Sequence, residues 1–421
     1  MPIEQTARAL EKIRVVEWSE ALAGPYCAML LGDLGASVVK VERPGTGDQS
    51  RGWGPPFVGS ESTYFLSTNR NKRSLTLNLN QPRGLEIMRK LVAGADVFLH
   101  NQPQRESLVK RGLDYETVSK PNPRLIYCAI SGYGWTGPNA GLPGYDVLAQ
   151  GEAGIMSITG EPGDKPMRYP VAIADVSCGI YAAMGILASL FARERSGKGQ
   201  FLDLSLLDSQ LSWLTSIASG YLNAGESPKR YGNAHPNIVP YQLFQGSDDR
   251  FFMVAVGTEA LWSRFCAVLE AQETLGNDPR FASNRMRTEN RARLIPVINK
   301  IFRTRPAGEW VRLLREADIP GSPVNTVEEA LRNPQVIARQ AIVEIEHPVL
   351  GVARSIANPM RMSGTPIDYR YPPPLRGEHN AAILGELGFS REEIESLMRE
   401  GAIWFRFHAS PQASAQAPDS A

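Results

Sequence analysis

Residues 13–42, IRVVEWSEALAGPYCAMLLGDLGASVVKVE, read as a strand, a tight turn, a helix and a second strand. Ile13–Trp18 and Ser37–Glu42 are short β-rich runs, and several such runs in the chain are apolar nearly throughout, the pattern of strands covered on both faces. Between them, Ala23-Gly24-Pro25 opens the helix Pro25–Leu34, and Leu34-Gly35-Ala36 leads into the second strand. The same alternation continues through Ser74–Leu79, Asp96–Asn101, Arg124–Ser131 and Phe201–Leu207. In Arg83–Ala95, Leu85, Met88, Leu91 and Val92 recur at spacings of three and four, so they share one helical face. Pro82 and Gly94 mark the ends of that helix. Alternating β and α elements predict an α/β fold built on a mostly parallel, doubly wound, Rossmann-like sheet.

The pattern then changes. Ser205–Ala224 reads as one long helix, followed by a polar stretch to Asn237. A short β element, FFMVAV, precedes helices around Leu261–Ala271, Thr288–Phe302 and Gly308–Ala317. Val343–Met362 resembles a hairpin, Pro372-Pro373-Pro374 a stiff connection, and Arg391–Gly401 a final amphipathic helix. The tail after His408 is small, polar and predicted disordered. The boundaries read as a large domain over 1–210, a linker over 211–240, a small domain over 241–330, a return to the large domain over 331–405, and a tail over 406–421.

Composition excludes classes without choosing one. The chain has 421 residues, 45 Lys plus Arg and 44 Asp plus Glu, and a net charge of +1, which argues against a dedicated nucleic-acid binder. Its four cysteines lie far apart with no C-x-x-C, so neither a disulfide framework nor a metal site is expected. A reducing compartment follows: the cytoplasm, or the mitochondrial matrix in a eukaryotic source. The most apolar stretch, Gly179–Ala192, falls short of the ~18–20 residues that span a bilayer and ends in the charged turn Arg193-Glu194-Arg195, so no membrane partner is expected. Dinucleotide, Walker A, serine-hydrolase and zinc-protease motifs are all missing.

Three local features suggest chemistry. The turn before Pro25 places a helix N-terminus at the carboxyl end of a strand, which suits an anionic ligand, or is simply a tight turn. Asn69–Ser74 (NRNKRS) packs three cations into four positions, which Arg43 could join, either to meet phosphates or as a solvated face. Asp175, in VAIADVSCG (171–179), opens the most apolar helix. Alone it reads as an N-cap or a partner of Arg168, with a nucleophile as the functional alternative.

Taken in order, ALAGPYCAMLLGDLGASVVKVERPGTGD (21–48), STYFLSTNRNKRSLTLNL (62–79), LIYCAISGYGWTGP (125–138), GYDVLAQGEAGIMSITGEPG (144–163) and VAIADVSCG resemble the class III CoA-transferases of the CaiB/BaiF type. That family includes formyl-CoA transferase, with α-methylacyl-CoA racemases as relatives, and the resemblance runs from about Ile13 to Gly401. It implies that Asp175 attacks an acyl-CoA thioester, forming first an anhydride and then an aspartyl-CoA thioester. It also implies that Ala21, Leu22, Ala23, Arg43, Leu77, Asn101, Lys110 and Tyr133 face CoA, with Arg43 and Lys110 holding nucleotide phosphates. No permanently bound cofactor is implied; CoA and acyl-CoA are substrates.

GWGPPFVGSESTYFLSTNRNKRSL with HPNIVPYQLF most resembles the succinyl-CoA-dependent dicarboxylate branch, which includes glutarate, hydroxymethylglutarate and malate enzymes. A dicarboxylate needs a cation for its remote charge, and Arg168 is the candidate, with Arg51 and Arg73 as alternatives. Two departures from the family stand out. Asn101-Gln102-Pro103-Gln104-Arg105 lacks the aromatic and glycine of the usual N-[FY]-x-P-G, and the glycine-rich loop of formyl-CoA transferase is replaced by NAHPNIVPY. The racemase reading is weakened because Tyr145 stands where those relatives carry histidine, and tyrosine with a pKa near ~10 is a poor neutral-pH base. The family further implies an interlocked homodimer with a split large domain. A heteromer with a related subunit, in which this chain could be non-catalytic, is the alternative.

Overall fold

The computed structural model describes residues 8–404, so the expected tail lies outside the described residues. Six parallel strands form the central sheet: β1 (Arg14–Trp18), β2 (Ser37–Glu42), β3 (Lys72–Thr76), β4 (Val97–His100), β5 (Ile126–Ser131) and β6 (Phe201–Ser205). Their order is β3-β2-β1-β4-β5-β6, the doubly wound arrangement expected. β1 pairs with β2 on one side and β4 on the other, so the strand order reverses beside it.

Alternation along each strand sends side chains to two cores. Val15, Val38, Leu99 and Cys128 pack with α1 (Ala23–Asp33), whereas Val16, Val39, Phe98 and Tyr127 pack with α2 (Pro82–Ala93). The C-terminal helices Asn380–Glu386 and Arg391–Arg399 complete the second core through Ile383, Leu384 and Leu397. Burial on both faces explains the near-continuous apolar runs of the strands.

The described residues divide into two compact units: 8–153, 169–215 and 339–404 in one, 154–168 and 216–338 in the other. The second holds a three-stranded antiparallel sheet (Tyr241–Gln245, Phe251–Ala255, Gly321–Pro323) over the helices Glu259–Val268, Arg291–Phe302 and Ala307–Glu316. Its core includes Phe244, Phe252, Phe302 and Trp310.

Three local expectations differ from the structure. The third strand starts at Lys72, two residues before the predicted Ser74, because Lys72 is fully buried by an ion pair to Glu17. The predicted helix Ser205–Ala224 breaks into Leu206–Leu211, a 3-10 turn Ser212–Leu214 and Thr215–Ala224, with Thr215 at φ +31°. Part of the expected linker 211–240 is therefore helical, and residues 154–168 belong to the second unit.

Candidate active site

A cleft of about 630 Å3 opens at the carboxyl ends of the strands, beside the reversal at β1. Its lining comes from the segments after all six strands: Ala21–Ala23, Arg43, Leu77, Asn101, Ser131 and Gly132, and Leu206. Ligands of open α/β sheets bind at such a switch point because the loops there splay to opposite faces. Asp175 lines the same cleft from α5 (Ile173–Ser196), its 24-residue helix.

Asp175 stands in the first turn of α5 but does not cap it. The N-cap is Ala172, and no side chain of its own bonds the helix end. Instead Asp146, at the start of α4 (Asp146–Glu152), accepts the Ala174 N–H at 2.8 Å through Oδ1. Its Oδ2 accepts from Gln150 Nε2 at 2.7 Å, and Gln150 Oε1 accepts the Tyr169 N–H at 2.8 Å. The N-cap alternative for Asp175 is thus taken by another carboxylate, which leaves Asp175 facing the cleft. Burial pushes the Asp175 carboxyl up to about 7, and the neighbouring Asp146 charge adds to the rise. Tyr64, also in the lining, is raised to about 12 by burial and then by the charges of Asp175 and Asp146.

Close backbone approaches set this geometry. A Cβ on Gly179, one turn after Asp175, would lie 2.7 Å from the Ala23 carbonyl oxygen, so glycine lets α5 meet the start of α1. Gly132 and Gly144 likewise cross without room for a side chain, bringing the Gly144-Tyr145-Asp146 segment against the end of β5.

Seven of the sequence-predicted residues share the cleft: Ala21, Leu22, Ala23, Arg43, Leu77, Asn101 and Asp175. Arg43 is 57% exposed and paired with Glu20 at 2.9 Å, so it can exchange that carboxylate for a ligand phosphate. Asn101 is spent on backbone: its amide brackets Glu20, accepting its N–H at 3.2 Å and donating to its carbonyl at 2.9 Å.

The structure places the other expected residues outside this lining or in structural pairs. Lys110 is exposed and outside the lining, while Arg111, its neighbour in α3 (Arg105–Arg111), lines the cleft. Successive helical residues point about 100° apart, so the two present different directions and Arg111 is the one in the lining. Tyr133 does not line the cleft either; its hydroxyl donates to Glu152 at 2.6 Å. The Asn69–Ser74 cations are structural, because Arg70 forks onto Asp33, Lys72 pairs with Glu17, and Arg73 pairs with Glu386. Arg51 is held bidentately by Glu42 at 2.7 and 2.8 Å, and Arg168 belongs to the second unit. Among the described residues no group of three or more His, Cys, Asp or Glu is placed to hold a metal ion.

Asp146, Gln150, Tyr64 and Arg111 were not singled out from sequence. Asp146 and Gln150 lie inside the run 144–163 that carries part of the resemblance, but a cap 28 residues from its helix leaves no local signature.

Fold and site together define a doubly wound α/β enzyme with a nucleotide-sized cleft and a partly desolvated carboxylate, Asp175, in the first turn of a helix. The chain belongs to CoA-transferase family III, whose sequence model matches residues 10–380, and is a class III CoA-transferase. It is 40% identical to the succinyl-CoA:glutarate CoA-transferase of Mus musculus over 94% of this chain and 90% of that protein. It is 41% identical to the succinate–glutarate CoA-transferase of Agrobacterium fabrum, over 90% and 95%. A crystal structure of a CAIB/BAIF family protein from Brucella suis superposes with a TM-score of 0.82 at 40% identity, covering 91% of this chain and all of that one.

Proposed function

We propose that this enzyme moves CoA from succinyl-CoA to a dicarboxylic acid, glutarate or a close analogue, through covalent intermediates on Asp175. The observation that carries the reading is the placement of Asp175: it shares the cleft with the turn after β1 and is relieved of capping duty by Asp146. The names of the two relatives, both near 40% identity, supply the donor and the acceptor class.

The steps balance without an outside proton. An Asp175 oxygen attacks the succinyl thioester carbonyl, the C–S bond breaks, and CoA leaves as thiolate from a mixed anhydride. The thiolate attacks the Asp175 carbonyl, forming an aspartyl-CoA thioester and releasing succinate. The acceptor carboxylate then attacks that thioester, CoA thiolate leaves again, and its attack on the acceptor's carbonyl yields the new acyl-CoA and restores Asp175. Thioester energy is retained only if water is excluded, which suits a cleft over a packed sheet end.

Purified chain given succinyl-CoA and a panel of glutarate, hydroxymethylglutarate, malate, citramalate, itaconate and oxalate, read by mass, tests the reading. New acyl-CoA from at least one five- or six-carbon dicarboxylate is expected, lost by ~10³-fold or more in Asp175→Ala. Exchange confined to oxalate, or unchanged by the substitution, would contradict it. Washing of deuterium into carbon 2 of a branched acyl-CoA without any acceptor would favour the racemase instead.

We extend the proposal to a homodimer. α5 exposes Ile180, Met184 and Phe191, and the Tyr181–Ser212 hydroxyl contact at 2.9 Å brings exposed Leu211 and Trp213 beside them. An apolar face of that kind suits a second copy.

A further inference from the structure

We infer that Asp48, anchored by Lys40, is a positioning residue for acyl-CoA binding: it holds the backbone of Ala21, and so the turn that opens α1 into the cleft. The inference rests on the reading of this cleft as the acyl-CoA site.

Ala21 sits at φ +70°, a left-handed conformation that an L-residue adopts only when its surroundings impose it. The residues that follow, Leu22 and Ala23, line the cleft, and the N-cap Leu22 carries no side-chain cap, so the helix end is left for a ligand. Four side chains from different strands and loops grip the turn's backbone. Lys40 Nζ donates to Ser19 O at 3.0 Å, Asn101 brackets Glu20, Asp48 Oδ1 accepts the Ala21 N–H at 3.1 Å, and Lys72 Nζ donates to Pro25 O at 2.8 Å.

Behind the turn these side chains form an alternating charge chain. Asp48 Oδ2 lies 2.8 Å from Lys40 Nζ, Lys40 lies 3.0 Å from Glu17, and Glu17 lies 2.9 Å from Lys72. Glu17, Lys40 and Lys72 are wholly buried and Asp48 is 1% exposed. Ser50 adds its N–H at 2.8 Å and hydroxyl at 2.7 Å to Asp48 Oδ1, so the carboxylate is fixed on every side.

Two cations and two anions cancel, yet a buried ion chain is rarely a source of stability, because apolar residues of equal volume do as well or better. Apolar residues cannot, however, bond Ser19 O, Ala21 N and Pro25 O. The chain's distinctive product is therefore the shape of the turn. Asp48 also ends the loop that begins at Arg43, so one carboxylate ties that cleft-lining cation to the α1 turn.

The test uses full-length protein with Asp48→Ala, Asp48→Asn, Ala21→Gly and the double variant Asp48→Ala/Ala21→Gly. CoA affinity is measured by calorimetry, and KM is measured for succinyl-CoA and for the acceptor acid. Asp48→Ala is expected to weaken CoA binding and raise the succinyl-CoA KM by about tenfold, with kcat and the acid KM moving less than threefold. Glycine reaches positive φ freely, so the double variant should regain at least about threefold of that loss relative to Asp48→Ala.

A folded Asp48→Ala protein with CoA affinity within threefold of wild type overturns the inference. So does a loss confined to kcat, the mark of a smaller active fraction, or a double variant no better than Asp48→Ala. Should Asp48→Ala fail to fold, Asp48→Asn decides, because its amide turns a donor toward Lys40 and so releases the anchor: weakening of CoA by threefold or more supports the role, and less overturns it. Wild-type protein that binds no CoA would instead overturn the assignment of the cleft.

Discussion

Asp175 shares the start of α5 with a second carboxylate, Asp146, and that pairing sets how the reaction should respond to pH. Burial first, and Asp146 second, lift the Asp175 carboxyl to about 7. In the proposed mechanism only its ionised form attacks the thioester, so kcat/KM for succinyl-CoA should rise through about pH 7 and level off above it. Asp146→Asn keeps an oxygen for the Ala174 N–H but removes the like charge, so the acid limb should move to lower pH. An unmoved limb would separate Asp146 from the group that sets the limb.

The same shift bears on stability. In the unfolded chain Asp175 titrates near ~4, so between ~4 and about 7 the folded state binds the extra proton. Stability from this group therefore falls as pH rises through that window, and the penalty is complete above it. Asp175→Asn should be more stable than wild type at pH 8, on the order of 1–2 kcal/mol by urea unfolding, with the gain gone at pH 4.

At the scale of elements, two helices carry the decisive placements. α3 turns Arg111 to the cleft and Lys110 away, so Arg111→Ala should raise the succinyl-CoA KM about tenfold while Lys110→Ala changes it less than twofold. Steady-state kinetics in acyl-CoA distinguish them, and the reverse order would restore Lys110 as the phosphate cation. α5 depends on Gly179: in Gly179→Ala the new methyl meets the Ala23 carbonyl at 2.7 Å. Overpacking of that kind typically costs about 1–3 kcal/mol, and here it should also displace Asp175 from the cleft, lowering kcat.

These elements also show what was legible in the sequence. β1, α1 and β2 were readable from 13–42 because a sheet buried on both faces favours apolar runs, here interrupted by ions such as Glu17 and Lys40 that pair with each other. β3 was misplaced by two residues because its first side chain is a buried lysine, whose partner Glu17 is remote in sequence. The break at Thr215 follows no glycine or proline, so periodicity ran straight through it. The order of motif blocks pointed to Asp175, but the residues that position it, Asp146 and Gln150, act across 28 and 19 residues of chain. Contacts of that span leave no periodicity behind.

For the whole molecule, the near-zero net charge conceals a strongly organised interior. Lys40 and Lys72 lie buried behind the α1 turn and Arg70 on Asp33, all as structural cations, while Arg43 and Arg111 line the cleft. A polyanionic ligand is thus met by few cations, placed locally. The exposed apolar face of α5 predicts that the chain is dimeric by light scattering after gel filtration, and that Met184→Glu with Phe191→Glu yields monomer. A monomeric wild type would contradict the proposed assembly.

The covalent role of Asp175 is the central claim, and trapping tests it most directly. Enzyme mixed with succinyl-CoA, quenched with hydroxylamine and mapped by peptide mass spectrometry should carry a hydroxamate at Asp175, absent when CoA donor is omitted. Turnover of succinyl-CoA with Asp175 unmodified, or with the label on another carboxylate, would contradict the account.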